Sequence, residues 1–439
     1  MNKKQIKMEQ ERAFELVKQN KALEAREIYQ KIIDIEPNND SAHHMLSFTY
    51  VLNGEYEPAL KHITKAIDLY KCCADYYNTA GSILRDLQEL DKALLVLKQG
   101  LVCNQNNPET YNDLALVFND LGQYDKAKLC FESSIALEPT AAFVHFNYAL
   151  TLLKTGDYEK GWTEYEWRHK LASTAPQLPL QSDIKNKRFI LHHEQGFGDT
   201  IQFIRFAKLL KDNEAAEINV SVPEPLERLI KTCPYVDQVN AEYMIGDYVI
   251  PMMSLPYIFG NQFLTNQYFN VKPKPKLPGF NVGIVWTSKK TPSNNCIFQD
   301  GNRILPSLAT LAYKSAQQRL LKAEWFEDIS KLVNLWSLQP DADEVGYIKK
   351  IDTKDFLDTA EFMTQLDLVI SIDTATAHLA GALGIPTWLL LPFNSEWRWL
   401  INKSDTPWYP SMKLFRQPAK GDWISVINEL TNNIKMLIK

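Results

Sequence analysis

The 439-residue sequence lacks a surplus of positive charge: 48 Lys and Arg stand against 53 Asp and Glu, a formal net charge of −5. Clustered cations carry phosphate-backbone binding, so the overall charge gives no case for a nucleic-acid partner. The six cysteines (Cys72, Cys73, Cys103, Cys130, Cys233 and Cys296) show neither C-x-x-C spacing nor a paired Cys/His cluster, and so no zinc site of the usual kind. Apolar runs are short as well. PTWLLLPF falls far below the roughly 20 residues of a membrane-spanning helix, which predicts no transmembrane segment. The opening MNKKQIKMEQERAFELVKQN is charged and amphipathic, without the apolar centre of a secretory signal. Together these absences predict a cytoplasmic protein whose thiols are buried or free in a reducing compartment.

Apolar residues make up 45% and charged residues 23% of the chain, an ordinary globular balance over a length that calls for two or three domains. Internal repetition is the first pattern to emerge. Gly54, Gln88, Gly122 and Gly156 follow one another at intervals of 34 residues. Two residues after each stand Tyr56, Leu90, Tyr124 and Tyr158, and five after each stand Ala59, Ala93, Ala127 and Gly161. One period earlier, Asn20 and Ala25 keep the phase, and Pro37 and Pro139 are three periods apart. Small residues at fixed places let paired helices approach, and the bulky ones fill the gap between them.

This pattern resembles the tetratricopeptide repeat, with LGQYDKAKLCFESSIALEP (Leu121 to Pro139) as its best copy. The resemblance implies helix pairs over residues 1–170 that stack into a right-handed superhelix with a concave groove for a peptide or protein partner. Cys72 and Cys73 fall where two units meet and read as packing residues. His43 and His44 read as surface or groove residues rather than ligands.

Residues 171–187, LASTAPQLPLQSDIKNK, break the helical pattern and read as a linker. Short β-rich runs follow: RFILHHE, EINVSVP, DYVIPM, NVGIVWTS, NLWSLQP and LDLVISID, with helix-length segments between several of them. Such alternation predicts parallel sheets covered on both faces. A proline-rich break at 272–280 divides this half into lobes at 188–271 and 281–439, the second ending in a helix. Ligands of open α/β sheets bind at the carboxyl ends of strands, in a crevice.

Two stretches stand at such ends. In HHEQGFGDTIQFIRF, Gln195, Gly196 and Gly198 form a loop after a strand, and glycine there permits positive φ and close backbone approach to an oxyanion or polar ligand. The third glycine of a dinucleotide fingerprint is missing, which discounts a nicotinamide cofactor. Asp199 either caps the helix that follows or takes a proton from an acceptor hydroxyl. In LDLVISIDTATAHLAGALGIP, Thr374 stands in the first turn of a helix with His378 four residues on, on the same face. Thr374 and a charged His378 are placed to bind a diphosphate at the helix N-terminus. The alternative is that Asp373 caps the helix and His378 packs internally.

DTATAHLAGALGIP resembles the donor-site motif of glycosyltransferase family 9, the heptosyltransferase-like group, and GFGDTIQFIRFAKLL resembles its N-lobe motif. With LLLPFNSEWRWL and TPWYPSMKLFRQ, the chain is similar to bacterial proteins that fuse tetratricopeptide repeats to such a domain. The resemblance implies an all-α superhelix followed by an α/β GT-B fold of two Rossmann-like lobes. It also implies metal-independent inverting transfer from a nucleoside-diphosphate sugar, with no cofactor. Asp199 would be the base, and Asp373, Thr374, Ala375 and His378 would hold the donor. Lys289 and Lys290 after a strand end, with Arg303, would stabilise charge on the leaving diphosphate; solvated loop lysines are the alternative. Arg398 would reach the nucleotide or stack between Trp397 and Trp399. The Asp341–Asp343 run imitates a metal-binding D-x-D without a supporting ligand. Thr287 to Pro306 and Pro340 depart from the family pattern on the donor side. The expected function is therefore sugar transfer to a peptide, protein or glycan acceptor that the repeats recruit, and the alternative is a scaffold whose transferase-like domain has lost turnover.

Overall fold

The computed structural model describes the chain apart from residues 173–175, 261, 265–266, 288–296, 301–302, 307–318 and 340–343, and gives the backbone alone for 297–300 and 303–306. The chain forms two compact units. One comprises Met1–Leu152, Lys170–Ser173 and Lys290–Ser315; the other comprises Leu153–His169, Thr174–Lys289 and Ala316–Lys439.

The first unit is a tetratricopeptide-like array of helix pairs: α1 (Lys3–Lys18) with α2 (Ala22–Ile35), α3 (Asp40–Leu52) with α4 (Tyr56–Leu69), α5 (Ala74–Asp86) with α6 (Leu90–Cys103), and α7 (Pro108–Asp120) with α8 (Tyr124–Leu137). The helix α9 (Ala142–Thr155) begins in this unit and ends in the second, where α10 (Tyr158–Tyr165) follows. Each periodic residue closes the first helix of its pair in the left-handed region: Asn20, Gly54, Gln88, Gly122 and Gly156 have φ of 66, 75, 64, 71 and 86°. In the first four repeats the next N–H donates back to a carbonyl of the last helical turn, as Glu55 N does to Tyr50 O at 3.0 Å and Gln123 N to Phe118 O at 2.8 Å. The period in sequence is thus a period of helix stops.

The small positions are buried: Ala25, Ala59, Ala93 and Ala127 have no exposed surface. A second 34-residue rule ties each pair to the preceding loop. His43 Nε2–H donates to Pro37 O at 3.1 Å, Tyr77 O–H to Lys71 O at 2.9 Å, and His145 Nε2–H to Pro139 O at 3.0 Å. His43 is therefore buried within its repeat, not at the surface or groove, and its Nδ1 lies 3.1 Å from Nδ1 of His62. Cys72 is exposed where packing was expected, while Cys73 is half-buried at the start of α5.

The second unit holds two parallel sheets. The smaller has the order β3-β2-β1-β4, from β1 (Arg188–His192), β2 (Glu217–Ser221), β3 (Gln238–Val239) and β4 (Tyr248–Pro251). In the larger, β5 (Asn281–Val285), β8 (Asn334–Ser337) and β9 (Ile348–Lys350) run outward one way, and β10 (Leu368–Ile372), β11 (Thr387–Leu391) and β12 (Met412–Arg416) the other. Every residue of β5 and β10 is buried, as expected of strands covered on both faces. All six β-rich runs read from the sequence are strands. In the segment Lys290–Ser315 that belongs to the first unit, β6 (Ile297–Asp300) and β7 (Arg303–Pro306) pair antiparallel. Between β7 and β8 the described residues form a 3-10 turn, Ala323–Phe326, and the short helix Glu327–Ser330. Among the described residues no helix is long and apolar enough to cross a membrane.

Strand order reverses beside β1 in one sheet and between β5 and β10 in the other, and such reversals open crevices at carboxyl ends of strands. The helix Phe197–Phe203 follows β1, and the helix Ala375–Ala382 follows β10.

Candidate functional site

The sequence places glycine where the Phe197–Phe203 and Ala375–Ala382 helices must touch. A Cβ on Gly198 would lie 2.7 Å from His378 Cδ2 and 3.4 Å from Ala375 Cα. The backbone at Gly198 is thus closely approached by the Ala375–Ala382 helix. Positive φ in this loop belongs to Gln195, at 60°, whereas Gly196 is extended at φ −99°. Gln195 Nε2 donates to the Tyr165 hydroxyl at 2.8 Å, and Tyr165 belongs to α10, the last copy of the helical motif. Trp162 of α10 meets Phe203 and Trp397 edge-on at 5.9 and 5.3 Å. That fragment therefore buries its aromatic face within the α/β unit.

Asp199 does two things at once. Its Oδ2 accepts the N-cap Gly196 N–H at 2.7 Å, and its Oδ1 pairs with Arg398 Nη2. The Arg398 guanidinium is a hub. Nη1 pairs with Glu396, Nε donates to Gln202 Oε1 at 2.6 Å, and the plane lies 4.2 Å from the Trp397 ring centroid. Burial works against the Arg398 charge, and Glu396 and Asp199 overcome it to raise its pKa. Glu396 shifts for the opposite reason: burial pushes its carboxyl up to about 7 against the pull of Arg398, and Asp373 and Asp199 add to the rise.

On the other helix Thr374 is the N-cap, outside the first turn, and its side chain bonds no helical N–H. Its hydroxyl lies 3.2 Å from Ser371 Oγ. Asp373 does not cap. Its Oδ2 pairs with Arg319 Nη1 at 2.9 Å, and the same nitrogen donates to Asp373 O at 2.6 Å. Burial opposes the Asp373 charge, but the Arg319 guanidinium outweighs it and lowers its pKa. His378 is buried, with Nδ1 2.9 Å from the Tyr409 hydroxyl and Nε2 3.9 Å from Asp373. Burial holds its pKa down to about 3, so the imidazole is neutral and not the charged donor expected. At the end of β5, Gln339 Oε1 accepts the Trp286 and Thr287 N–H groups at 2.7 and 3.2 Å.

The structure therefore brings Asp199, Gly198, Asp373, Ala375, His378 and Arg398 into one neighbourhood with Thr374. Lys289, Lys290 and the Asp341–Asp343 run lie outside the described residues, as does the side chain of Arg303. Arg398 stacks on Trp397 and also forms ion pairs that the sequence did not suggest. Glu396, Gln202, Arg319 and Tyr409 were missed; Glu396 lies two residues from Arg398 in a quoted motif and was the one within reach of local reading. Among the described residues no group of three or more His, Cys, Asp or Glu side chains is arranged to hold a metal ion.

The tetratricopeptide repeat family matches residues 96–128. Protein FlbA of Caulobacter vibrioides is 26% identical over 313 residues, 60% of this chain and 50% of that protein, so the chain spans about half the length of this curated relative. Among solved structures, a MamA crystal structure is 23% identical, covering 36% of this chain and 95% of its own, with a TM-score of 0.31. A thermophilic TPR protein of Thermus thermophilus is 20% identical over 38% of this chain and 92% of its own, with a TM-score of 0.36. PilF of Pseudomonas aeruginosa is 19% identical over 47% and 85%, with a TM-score of 0.37. The tetratricopeptide match at 96–128 falls on α6, α7 and α8 of the helical array.

Proposed function

We propose that the α/β unit is a GT-B glycosyltransferase that moves a sugar from a nucleoside-diphosphate sugar to an acceptor recruited by the repeats. One observation carries the reading: helices that follow β1 and β10, each beside a reversal of strand order, meet with Asp199 on one and Thr374 at the head of the other. In this reading the N–H groups opening the Ala375–Ala382 helix and the Thr374 hydroxyl hold the diphosphate. The acceptor oxygen attacks the anomeric carbon and forms the new bond. The bond from that carbon to the phosphate oxygen breaks, and its electron pair leaves with the diphosphate. The acceptor proton passes to Asp199, and the configuration at the carbon inverts.

A second reading, a repeat scaffold with a transferase-like unit that no longer turns over, draws on a different observation. Gly198 already lies against His378 and Ala375, and Asp199 is already held by Arg398. Calorimetry with uridine, guanosine, adenosine and cytidine diphosphates and their sugar conjugates separates the two. The transferase reading expects micromolar binding of one nucleotide, weakened at least tenfold, about 1.4 kcal/mol, by Thr374→Ala. A folded protein that binds none of them is the scaffold.

A further inference from the structure

Arg398 is 6% exposed and carries one positive charge between two carboxylates, Asp199 and Glu396, with its third edge on Gln202. The neighbourhood contains the acids Asp199, Glu396 and Asp373, with Glu396 raised to about 7 by burial, and the guanidiniums Arg398, Arg319 and Arg205, while His378 is neutral. A diphosphate entering beside Thr374 would need a cation, and Arg398, already held between Asp199 and Glu396, is one the site can offer. Asp199 is the acid that the proposed chemistry requires unpaired, because its Oδ1 is taken by Arg398 and its Oδ2 by the Gly196 N–H, leaving neither turned to an acceptor hydroxyl.

We propose that Arg398 is an exchange residue: it holds Asp199 at rest, turns its guanidinium from Asp199 to the incoming diphosphate, and so frees the base only when the donor is present. This rests on the transferase reading above. A planar guanidinium presents paired N–H donors that suit a phosphate as well as a carboxylate, so the exchange swaps one pair of charge-assisted bonds for another. Glu396 and the Trp397 ring keep hold of the side chain while it turns, which restricts the movement to its Asp199 edge. Arg398 thereby acts as a positioning residue that couples donor binding to base release, and discourages proton abstraction before a donor has arrived.

The test uses the full chain, Asp199→Asn and Arg398→Lys, titrated calorimetrically with the nucleoside diphosphate that the wild type binds. Asparagine keeps an oxygen to accept the Gly196 N–H but offers no charge to Arg398. The exchange predicts that Asp199→Asn binds the nucleotide at least about fivefold more tightly, because nothing competes for the guanidinium. Damage to the fold would not raise affinity. Arg398→Lys should bind more weakly by a similar factor, since an ammonium lacks the paired donors. Wild-type binding that Asp199→Asn leaves unchanged or weakens overturns the exchange and leaves the donor site standing. If neither the wild type nor the variants bind any nucleoside diphosphate, the transferase reading itself falls, and the exchange falls with it.

Discussion

In the helical array, Gly54 and Gly122 sit at φ of 75 and 71° with nothing within 4 Å of where a Cβ would be. In the α/β unit, Gly198, Gly283 and Gly381 lie outside the left-handed region, and a Cβ there would come within 2.7, 2.6 and 2.5 Å of His378, Leu338 and Tyr409. The same residue type answers a backbone demand at the repeat stops and a demand for space at these three positions. Each region also holds the other kind: Gly81 in the array, with a Cβ position 2.5 Å from Leu97, and Gly260 and Gly421 in the α/β unit, at φ of 72 and 81°. The difference explains why the array announces itself in sequence. A backbone demand recurs with the repeat, so it shows as a period, and Asn20 and Gln88 can meet it at some strain. A demand for space recurs only where the partner recurs with the repeat, as at Ala25, Ala59, Ala93 and Ala127; at Gly198 and Gly381 it is set by a single partner, His378 or Tyr409, and leaves no period.

Replacing Gly381 by alanine should break the comparison hardest. The new Cβ would lie 2.5 Å from both Cδ1 and Cγ of Tyr409, a ring that is 1% exposed and whose hydroxyl is bonded to His378. A pinned ring cannot turn aside as a leucine methyl can. Against the helix propensity gained, a net loss on the order of 3 kcal/mol is expected in urea unfolding of the α/β unit, with the array's transition unmoved. An equal shift in both transitions would show that the two regions do not respond separately.

Acid should act the other way round, on the array. Burial lowers His44 to about 4, and burial with His43 and Lys61 nearby lowers His62 to about 4. A depressed histidine contributes stability that is complete above its unfolded value near 6.5 and is lost as pH falls toward 4. From pH 7 to 5, His44 alone should cost the array about 2 kcal/mol. In the α/β unit His378 has the same sign, with a window from 6.5 down to about 3. Glu396, raised to about 7, has the opposite sign: its contribution is complete below the ordinary glutamate range and is lost as pH rises through 7. The two oppose each other over this interval. Hydrogen exchange at pH 7 and 5 should show the repeat helices losing protection while β5 and β10 keep theirs; protection lost first from the strands would overturn the assignment.

What could be read in the sequence follows the same division. The helix stops at Asn20, Gly54, Gln88, Gly122 and Gly156 and the buried Ala25, Ala59, Ala93 and Ala127 were legible because they repeat. So were the strands whose apolar runs are continuous, β5 and β10 above all. β3, only two residues long, and β9, three residues long, gave no pattern to find. At the site, Asp199, Thr374 and His378 stood out because they follow strand-like runs in motifs that resemble a known group. Gln202 did not, since its contact with Arg398 spans 196 residues of sequence, and neither did Arg319, 54 residues from its partner Asp373. The neutral state of His378 was equally hidden, because burial and not spacing determines it.

The smallest effects test whether the array's period is truly one of backbone. Gly54→Ala adds a methyl group to open space, so packing predicts no cost at all. Conformation predicts a loss of about 1 kcal/mol, because alanine is disfavoured at φ 75°. Gln88 offers the reverse change at the same place in the next repeat, at φ 64°. Its side chain donates to Arg85 O at 3.0 Å across an exposed turn, a bond that water replaces at little cost. Gln88→Gly should therefore stabilise the array by about 0.5 kcal/mol, the strain relieved at this position less the greater freedom glycine gives the unfolded chain. Opposite signs in urea unfolding for Gly54→Ala and Gln88→Gly are the signature of a conformational period. Loss of stability in both would mean that the Gln88 side chain, not its backbone angle, is what the array uses.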